Sequence, residues 1–352
     1  MRLFACDTCR SVAFFDDLGC GSCGTPLGYL PSARGLVGLT GDRLRAAVGG
    51  TAYFSCANRS WGCNWLVPED AGSGQCEACR LTRRRPDRDD TVGWEQLART
   101  WQATRRLLFQ LHDIGLPVVS HLDRPDGGLA FDLVASTSGA QVMIGHANGV
   151  ITIDISETSD PHREALRASL QEAYRTMLGH FRHEIGHYYW QVLVWDTGRV
   201  EGFRELFGDE RADYGQALDV HYRFGAPDGW QDSYFSHYAT SHPWEDFAET
   251  FAHYLHIHDT LQTAASFGLG TALPPGPWSD DERVRLTSTP QDTMTRLSAA
   301  QLLAVGRPLS LAVNHISRSM GQNELYPFRV TPAILAKLEY VRDLVLTAAG
   351  ER

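Results

Sequence analysis

The sequence predicts an α+β protein in which two small four-cysteine modules precede a larger domain whose strands come first and whose helices follow. Three observations carry this. All eight Cys lie between Cys6 and Cys79, while all fourteen His lie between His112 and His315. Strand-like runs with β-branched alternation cluster at residues 129–155, and patterns of period 3.6 dominate afterwards. Strands followed by helices belong to α+β architectures. At 352 residues and 43% hydrophobic composition, the chain can bury a sizeable core and lacks the signature of disorder.

The first module, residues 1–33, holds Cys6-Asp-Thr-Cys9 and, ten residues later, Cys20-Gly-Ser-Cys23. Two Cys-x-x-Cys knuckles at this separation are the spacing of a zinc ribbon. Each turns two thiolates toward one point, and together they complete a tetrahedral sulfur shell. The second module, residues 34–90 including a linker, holds Cys56, Cys63, Cys76 and Cys79. Only Cys76-Glu-Ala-Cys79 is a knuckle there, yet four thiolates with no His nearby still favour an all-cysteine zinc site. A disulfide framework belongs to secreted chains. The N-terminus lacks the apolar run of a secretory signal, so the expected location is the cytoplasm. Each module is too short for a core of its own, so metal is expected to supply much of its folding energy.

Residues 80–91 read as a linker. The run Arg80-Leu-Thr-Arg83-Arg84-Arg85-Pro-Asp-Arg88 within it reads as solvated charge, with a docking patch as its second reading. The larger domain, residues 91–352, opens with helical spacing of Leu97, Trp101, Leu107, Leu108 and Leu111. Strand runs follow at Leu129–Val134, Gln141–Ile144 and Val150–Ile155. Helical patterns then cover about 163–194, 204–222, 243–258, 296–320 and 332–348.

Composition removes several function classes. Lys337 is the sole lysine, so a phosphate-binding Gly-Lys-Ser/Thr loop has no candidate and Schiff-base chemistry is nearly excluded. No apolar stretch is long enough to span a membrane. The formal net charge is -10, and the acidic excess is located in the residues after 90, which argues against nucleic acid as a partner.

The chemistry centres on His183-Glu184-Ile185-Gly186-His187. Two His at i and i+4 share one helix face and can reach one zinc, while the intervening Glu can take a proton from zinc-bound water. By chance the motif arises in roughly one such chain in forty, so its context decides. Leu166, Leu170, Tyr174, Met177, Phe181, Ile185, Tyr188 and Val192 form one apolar stripe of helical period. At about 100° per residue, His183 and His187 fall roughly 150° and 110° from its centre, and Glu184 roughly 50°. Both His therefore point away from the face that anchors the helix. His180 lies on the histidine face one turn earlier and reads as a polar neighbour.

A catalytic zinc needs a third protein ligand and an open position. Two stretches compete, Asp209–Asp213 and Pro243–His253. Helical geometry favours the second: Pro243 can open a helix, and Glu245, Glu249 and Ala252 share a face opposite Phe247, Phe251, Tyr254 and Leu255. Glu245 is the foremost candidate, with Glu249 and His253 as rivals. Ala248 and Ala252 would permit close approach to the first helix. Tyr238, seven residues before Glu245, could donate to the oxyanion of a tetrahedral intermediate, with His237 and His242 as rival donors.

His183-Glu-Ile-Gly-His187 followed by Glu245-x-x-Ala248-Glu249-x-Phe251-Ala252 resembles the gluzincin metallopeptidases, especially the lethal-factor-like group. From the Cys6–Cys9 knuckle through Cys63-Asn-Trp and Cys76-x-x-Cys79 to Glu245, the chain resembles bacterial zinc-binding metallopeptidases that carry an N-terminal zinc ribbon. The resemblance implies a zincin-like fold and a peptide or protein substrate. It also implies His183, His187 and Glu245 as ligands of a catalytic zinc, Glu184 as general base, and support for Tyr238. Glu249 fills the place of the acidic residue that gluzincins often carry one turn after the ligand. An edge strand that pairs with the peptide is a further implication, and Val150–Ile155 is the candidate. The expected metal content is three zinc ions, one catalytic and two structural. The rival reading is a ribbon-based binding module on a non-catalytic scaffold, against which Glu184 between the two His argues.

Overall fold

The Cys6–Cys9 knuckle lies at the tip of an antiparallel pair, β1 (Phe4–Ala5) with β2 (Val12–Ala13). The computed structural model describes residues 2–41, 44–136, 144–159, 176–269, 294 and 296–350. The second knuckle, Cys20–Cys23, precedes a hairpin of β3 (Leu27–Leu30) and β4 (Gly35–Gly38). Strands β5 (Arg45–Val48), β6 (Thr51–Ser55) and β7 (Leu66–Pro68) then form a three-stranded antiparallel sheet. Cys56 and Cys63 lie in the connection between β6 and β7. Cys76 caps the short α1 (Glu77–Arg80), which carries Cys79.

The segment expected to be a linker is instead part of a sheet. Thr82–Arg84 is a strand, β8, and it pairs in parallel with β9 (Ala130–Val134). Parallel neighbours need a crossover, and α2 (Thr91–Asp113) supplies it. Its Trp101 Nε1–H donates to Thr82 Oγ1 at 2.9 Å, which holds the helix to the strand. The charge of this segment is used as well: the Arg83 guanidinium forms two bonds with Asp132 on β9, at 3.0 and 2.7 Å. The sheet is completed by β10 (Gly145–Ala147) and β11 (Val150–Asp154), in the order β10-β11-β9-β8.

This order corrects the peptide-edge expectation for Val150–Ile155. Strand β11 is parallel to β9 along its whole length and antiparallel to β10 over Val150–Thr152, and Ile155 already belongs to a 3-10 turn. It is thus paired on both sides over Val150–Thr152, and the strand is interior in the sheet. Residues 141–143 of the expected Gln141–Ile144 strand lie outside the described residues.

The chain packs as two units, 1–160 and 161–352. The two cysteine modules share one aromatic core with α2, in which Phe4, Phe15 and Tyr29 meet Phe109 and Trp65 packs against Tyr29 and His112. Ring centroids are 4.9 Å apart for Phe15–Phe109 and 5.2 Å for Tyr29–Trp65. Arg59 ties the modules together by donating to the carbonyls of Leu18 and Leu27 at 2.5 and 3.0 Å. The expectation that each module lacks a core is corrected for the second: Leu39 and Leu66, with Leu30 of the first module, form a hydrophobic cluster against which Val37, Leu44, Ala46, Val48 and Tyr53 pack, so apolar burial contributes folding energy here.

The second unit is helical among its described residues: α3 (Met177–Trp190), α4 (Val200–Phe207), α5 (Tyr214–Phe224), α6 (Pro243–Ser266), α7 (Ala299–Ser319) and α8 (Pro332–Gly350). Met177, Phe181, Ile185 and Tyr188 are buried, as the stripe requires; Leu166, Leu170 and Tyr174 lie outside the described residues. Helix α3 runs into a π-type turn at Gln191–Trp195. The pattern over 204–222 is divided into α4 and α5, because Gly208 adopts φ 102°, where a helix cannot continue. Asp213 then caps α5 by accepting from the Gln216 N–H. Pro243 opens α6 at its first turn.

Candidate metal centres

The eight cysteines are free of disulfides and gather into two separate clusters, Cys6/Cys9/Cys20/Cys23 and Cys56/Cys63/Cys76/Cys79. Sulfur–sulfur distances are 3.8 Å for Cys6–Cys23, 3.6 Å for Cys9–Cys20, 3.6 Å for Cys63–Cys76 and 3.7 Å for Cys63–Cys79. A disulfide holds its sulfurs at about 2.05 Å. A tetrahedral zinc with bonds of about 2.3 Å separates its sulfurs by about 3.8 Å. Both clusters therefore have the size of a four-thiolate zinc shell. All four sulfurs of the second are buried, whereas Cys9 and Cys23 of the first reach the surface.

A third group forms where α3 crosses α6. His183 Nε2 lies 3.0 Å from Glu245 Oε2, His187 Nε2 lies 3.2 Å from His183 Nε2, and His187 Nε2 lies 3.4 Å from Glu245 Oε2. Zinc bonds of about 2.0–2.1 Å in tetrahedral geometry give ligand separations of about 3.3 Å, so this triangle has the size of one face of such a shell. The helices can bring the atoms together because Gly186 faces Ala248 directly. A Cβ on Gly186 would meet the Ala248 Cα at 2.8 Å.

Two of the three atoms are aimed by a partner outside the triangle. His183 Nδ1–H donates to Glu249 Oε1 at 2.7 Å, which turns Nε2 toward the centre of the triangle. Tyr214 Oη–H donates to Glu245 Oε1 at 2.8 Å, leaving Oε2 for the triangle. Burial alone would raise the Glu245 carboxyl, but the His187 charge and the His183 bond hold it well below the usual carboxylate range. Burial also works against a charged His183, and the carboxylates of Glu245 and Glu249 on its two nitrogens override it, raising its pKa well above the ordinary histidine value.

Glu184 is 6% exposed. Burial pushes its pKa up, and the His180 bond with the charges of His183, His187 and His180 more than offsets that, leaving it lowered. His180 Nε2 lies 3.4 Å from Glu184 Oε1, so it is a neighbour of the carboxylate and outside the triangle. Glu184 Oε2 is buried with no hydrogen-bond partner among the described residues. Tyr238 opens a 3-10 turn, its ring 6.0 Å from that of His183. Burial raises its phenol pKa, so it remains protonated.

The rival candidates are engaged elsewhere. His253 Nδ1 lies 2.9 Å from Tyr326 Oη, its ring stacks on Phe235 at 3.9 Å, and burial lowers its pKa to about 4. Asp209 pairs with Arg211, Glu210 pairs with Arg204, and Asp213 is the cap of α5. His237 Nε2 accepts from the Ala226 N–H at 2.9 Å, and His242 Nδ1 accepts from the Trp244 N–H at 3.2 Å to cap α6. Sequence reasoning missed Tyr214, which stands one residue after the Asp213 cap and 31 before Glu245. The cap-and-helix signature places it at a helix start, but no local pattern reports a contact that remote.

A family model described as "putative zinc-binding metallo-peptidase" matches residues 93–344, and a zinc-ribbon domain model matches residues 3–90. Uncharacterized proteins of Mycobacterium bovis and of two Mycobacterium tuberculosis strains are each 44% identical to the chain over 347 residues, 98% of it and 95% of theirs. No solved structure matches. Among the described residues, no helix is long and apolar enough to cross a membrane. With matches covering nearly its whole length and metal-sized shells in both matched regions, the chain belongs to the zinc-binding metallo-peptidase family that carries an N-terminal zinc ribbon.

Proposed function

We propose that this protein is a gluzincin-type peptidase that hydrolyses peptide bonds with Glu184 as general base. The observation that carries the reading is the buried, partly unpartnered Glu184 carboxylate on the helix turn between two members of a three-ligand triangle. Bound at His183, His187 and Glu245, zinc supplies a water activated near neutral pH and a Lewis acid for the substrate carbonyl. Glu184, ionised, takes the proton of the attacking water as its oxygen bonds to the carbonyl carbon. It returns that proton to the amide nitrogen as the carbon–nitrogen bond breaks. Tyr238, protonated at neutral pH, donates to the developing oxyanion. Glu249 keeps the His183 ring in one orientation throughout.

The two four-cysteine shells are closed by protein sulfur and have no position for a substrate, which suits a structural role. Reduced thiolates persist in a reducing compartment, so the cytoplasm is the proposed location. Digestion of an unbiased peptide library by the full-length, zinc-loaded protein tests the function. Cleavage of peptide bonds that is abolished by a chelator and restored by zinc is expected. An intact library alongside hydrolysis of a non-peptide amide would overturn the peptidase reading.

A further inference from the structure

Helix α5 is unusual in the second unit because, of its residues 214–224, only His221 is buried. It is bounded by Gly208 and Gly225, at φ 102° and 75°, conformations open to glycine and strained for other residues. Yet its first residue reaches the carboxylate of Glu245. The Tyr214 ring packs against His242 and Trp244, with centroids at 5.2 and 6.0 Å. Its hydroxyl donates to Glu245 Oε1 at 2.8 Å, and Glu245 itself is only 2% exposed.

A carboxylate ligand has two equivalent oxygens and a torsion that can rotate them. Left alone, Glu245 could turn or offer both oxygens, and a buried Oε1 without a donor would cost free energy. Tyr214 removes that freedom: it occupies Oε1, fixes the carboxylate plane and leaves Oε2 at 3.0 Å from His183 Nε2. Outer partners of this kind commonly contribute 10–100-fold to metal affinity.

We propose that Tyr214 is a positioning residue for the third metal ligand, and that through it zinc affinity depends on the docking of α5. This rests on the ligand set given under Proposed function. Displacement of α5 withdraws the phenol and loosens Glu245 without altering any ligand.

The test is competition between the full-length protein and a chromophoric zinc chelator, on wild type, Tyr214→Phe and His183→Ala. Tyr214→Phe keeps the ring between His242 and Trp244 and removes only the hydroxyl. The expected result is a zinc affinity at the third site about tenfold or more weaker in Tyr214→Phe. The two cysteine sites should stay filled, and the melting temperature of the metal-free protein should fall only by the small amount that loss of one hydrogen bond requires. Equal affinity in wild type and Tyr214→Phe, with the third zinc lost in His183→Ala, would overturn the Tyr214 role alone. A third zinc that survives His183→Ala would overturn the ligand set beneath it.

Discussion

Gly186 of α3 stands against Ala248 of α6 so closely that a Cβ on Gly186 would lie 2.8 Å from the Ala248 Cα and 3.0 Å from its carbonyl oxygen. Both obstacles are backbone atoms that cannot rotate aside. The contact lies one residue before His187 and one turn after Glu245, so helix spacing there sets the distances of the metal triangle.

Gly186→Ala should therefore separate the helices. Overpacking costs about 1–3 kcal/mol, and the better helix propensity of Ala returns about 1 kcal/mol. Net destabilisation of up to about 2 kcal/mol is expected in thermal unfolding of the second unit, together with weaker zinc retention by the His183 site.

The two cysteine shells should respond differently to loss of a ligand. Cys76→Ser places an oxygen in a shell whose four sulfurs are all buried, next to the aromatic core shared with α2. Cys23→Ser acts at the surface, where water can complete the shell. Zinc content is expected to fall from about three to about two per chain in Cys76→Ser, with a marked loss of first-unit stability by calorimetry. Cys23→Ser should weaken retention with a smaller stability change. Equal losses would contradict the burial contrast.

Lys337, the sole lysine, is buried at 6% exposure and donates to Asp246 Oδ2 at 2.6 Å and to the Ser233 carbonyl at 2.7 Å. Burial pushes Asp246 up to about 7 even with this partner. Removing one member of a buried ion pair costs about 3–5 kcal/mol, so Lys337→Met is expected to destabilise by that amount. Adding Asp246→Leu should restore a large part of it, because no buried charge is then left unpaired. Chemical denaturation of the single and double variants measures both effects.

Local signals were legible in the sequence and remote ones were not. The buried faces of Met177, Phe181, Ile185 and Tyr188, and the knuckles at Cys6–Cys9 and Cys76–Cys79, depend on spacing within a few residues. The close approach at Ala248 was legible for the same reason, because a small residue on the ligand face implies a near neighbour. Thr82–Arg84 escaped notice because Arg-rich composition reads as solvent-facing, and its partner Asp132 lies 49 residues from Arg83. Likewise, β11 looked like a free strand because alternation reveals which faces are buried and says nothing of how many edges are paired. Tyr214 became visible only once the fold set α5 beside α6.

The most direct measurement compares wild type with Glu184→Gln, determining zinc content and peptide cleavage on the same preparations. Gln keeps the shape of the side chain and cannot accept the proton of the attacking water. The expected result is zinc retained at about three ions per chain, with peptide hydrolysis reduced by about 100-fold or more. Full peptidase activity in Glu184→Gln with zinc bound would contradict the role of Glu184 as general base.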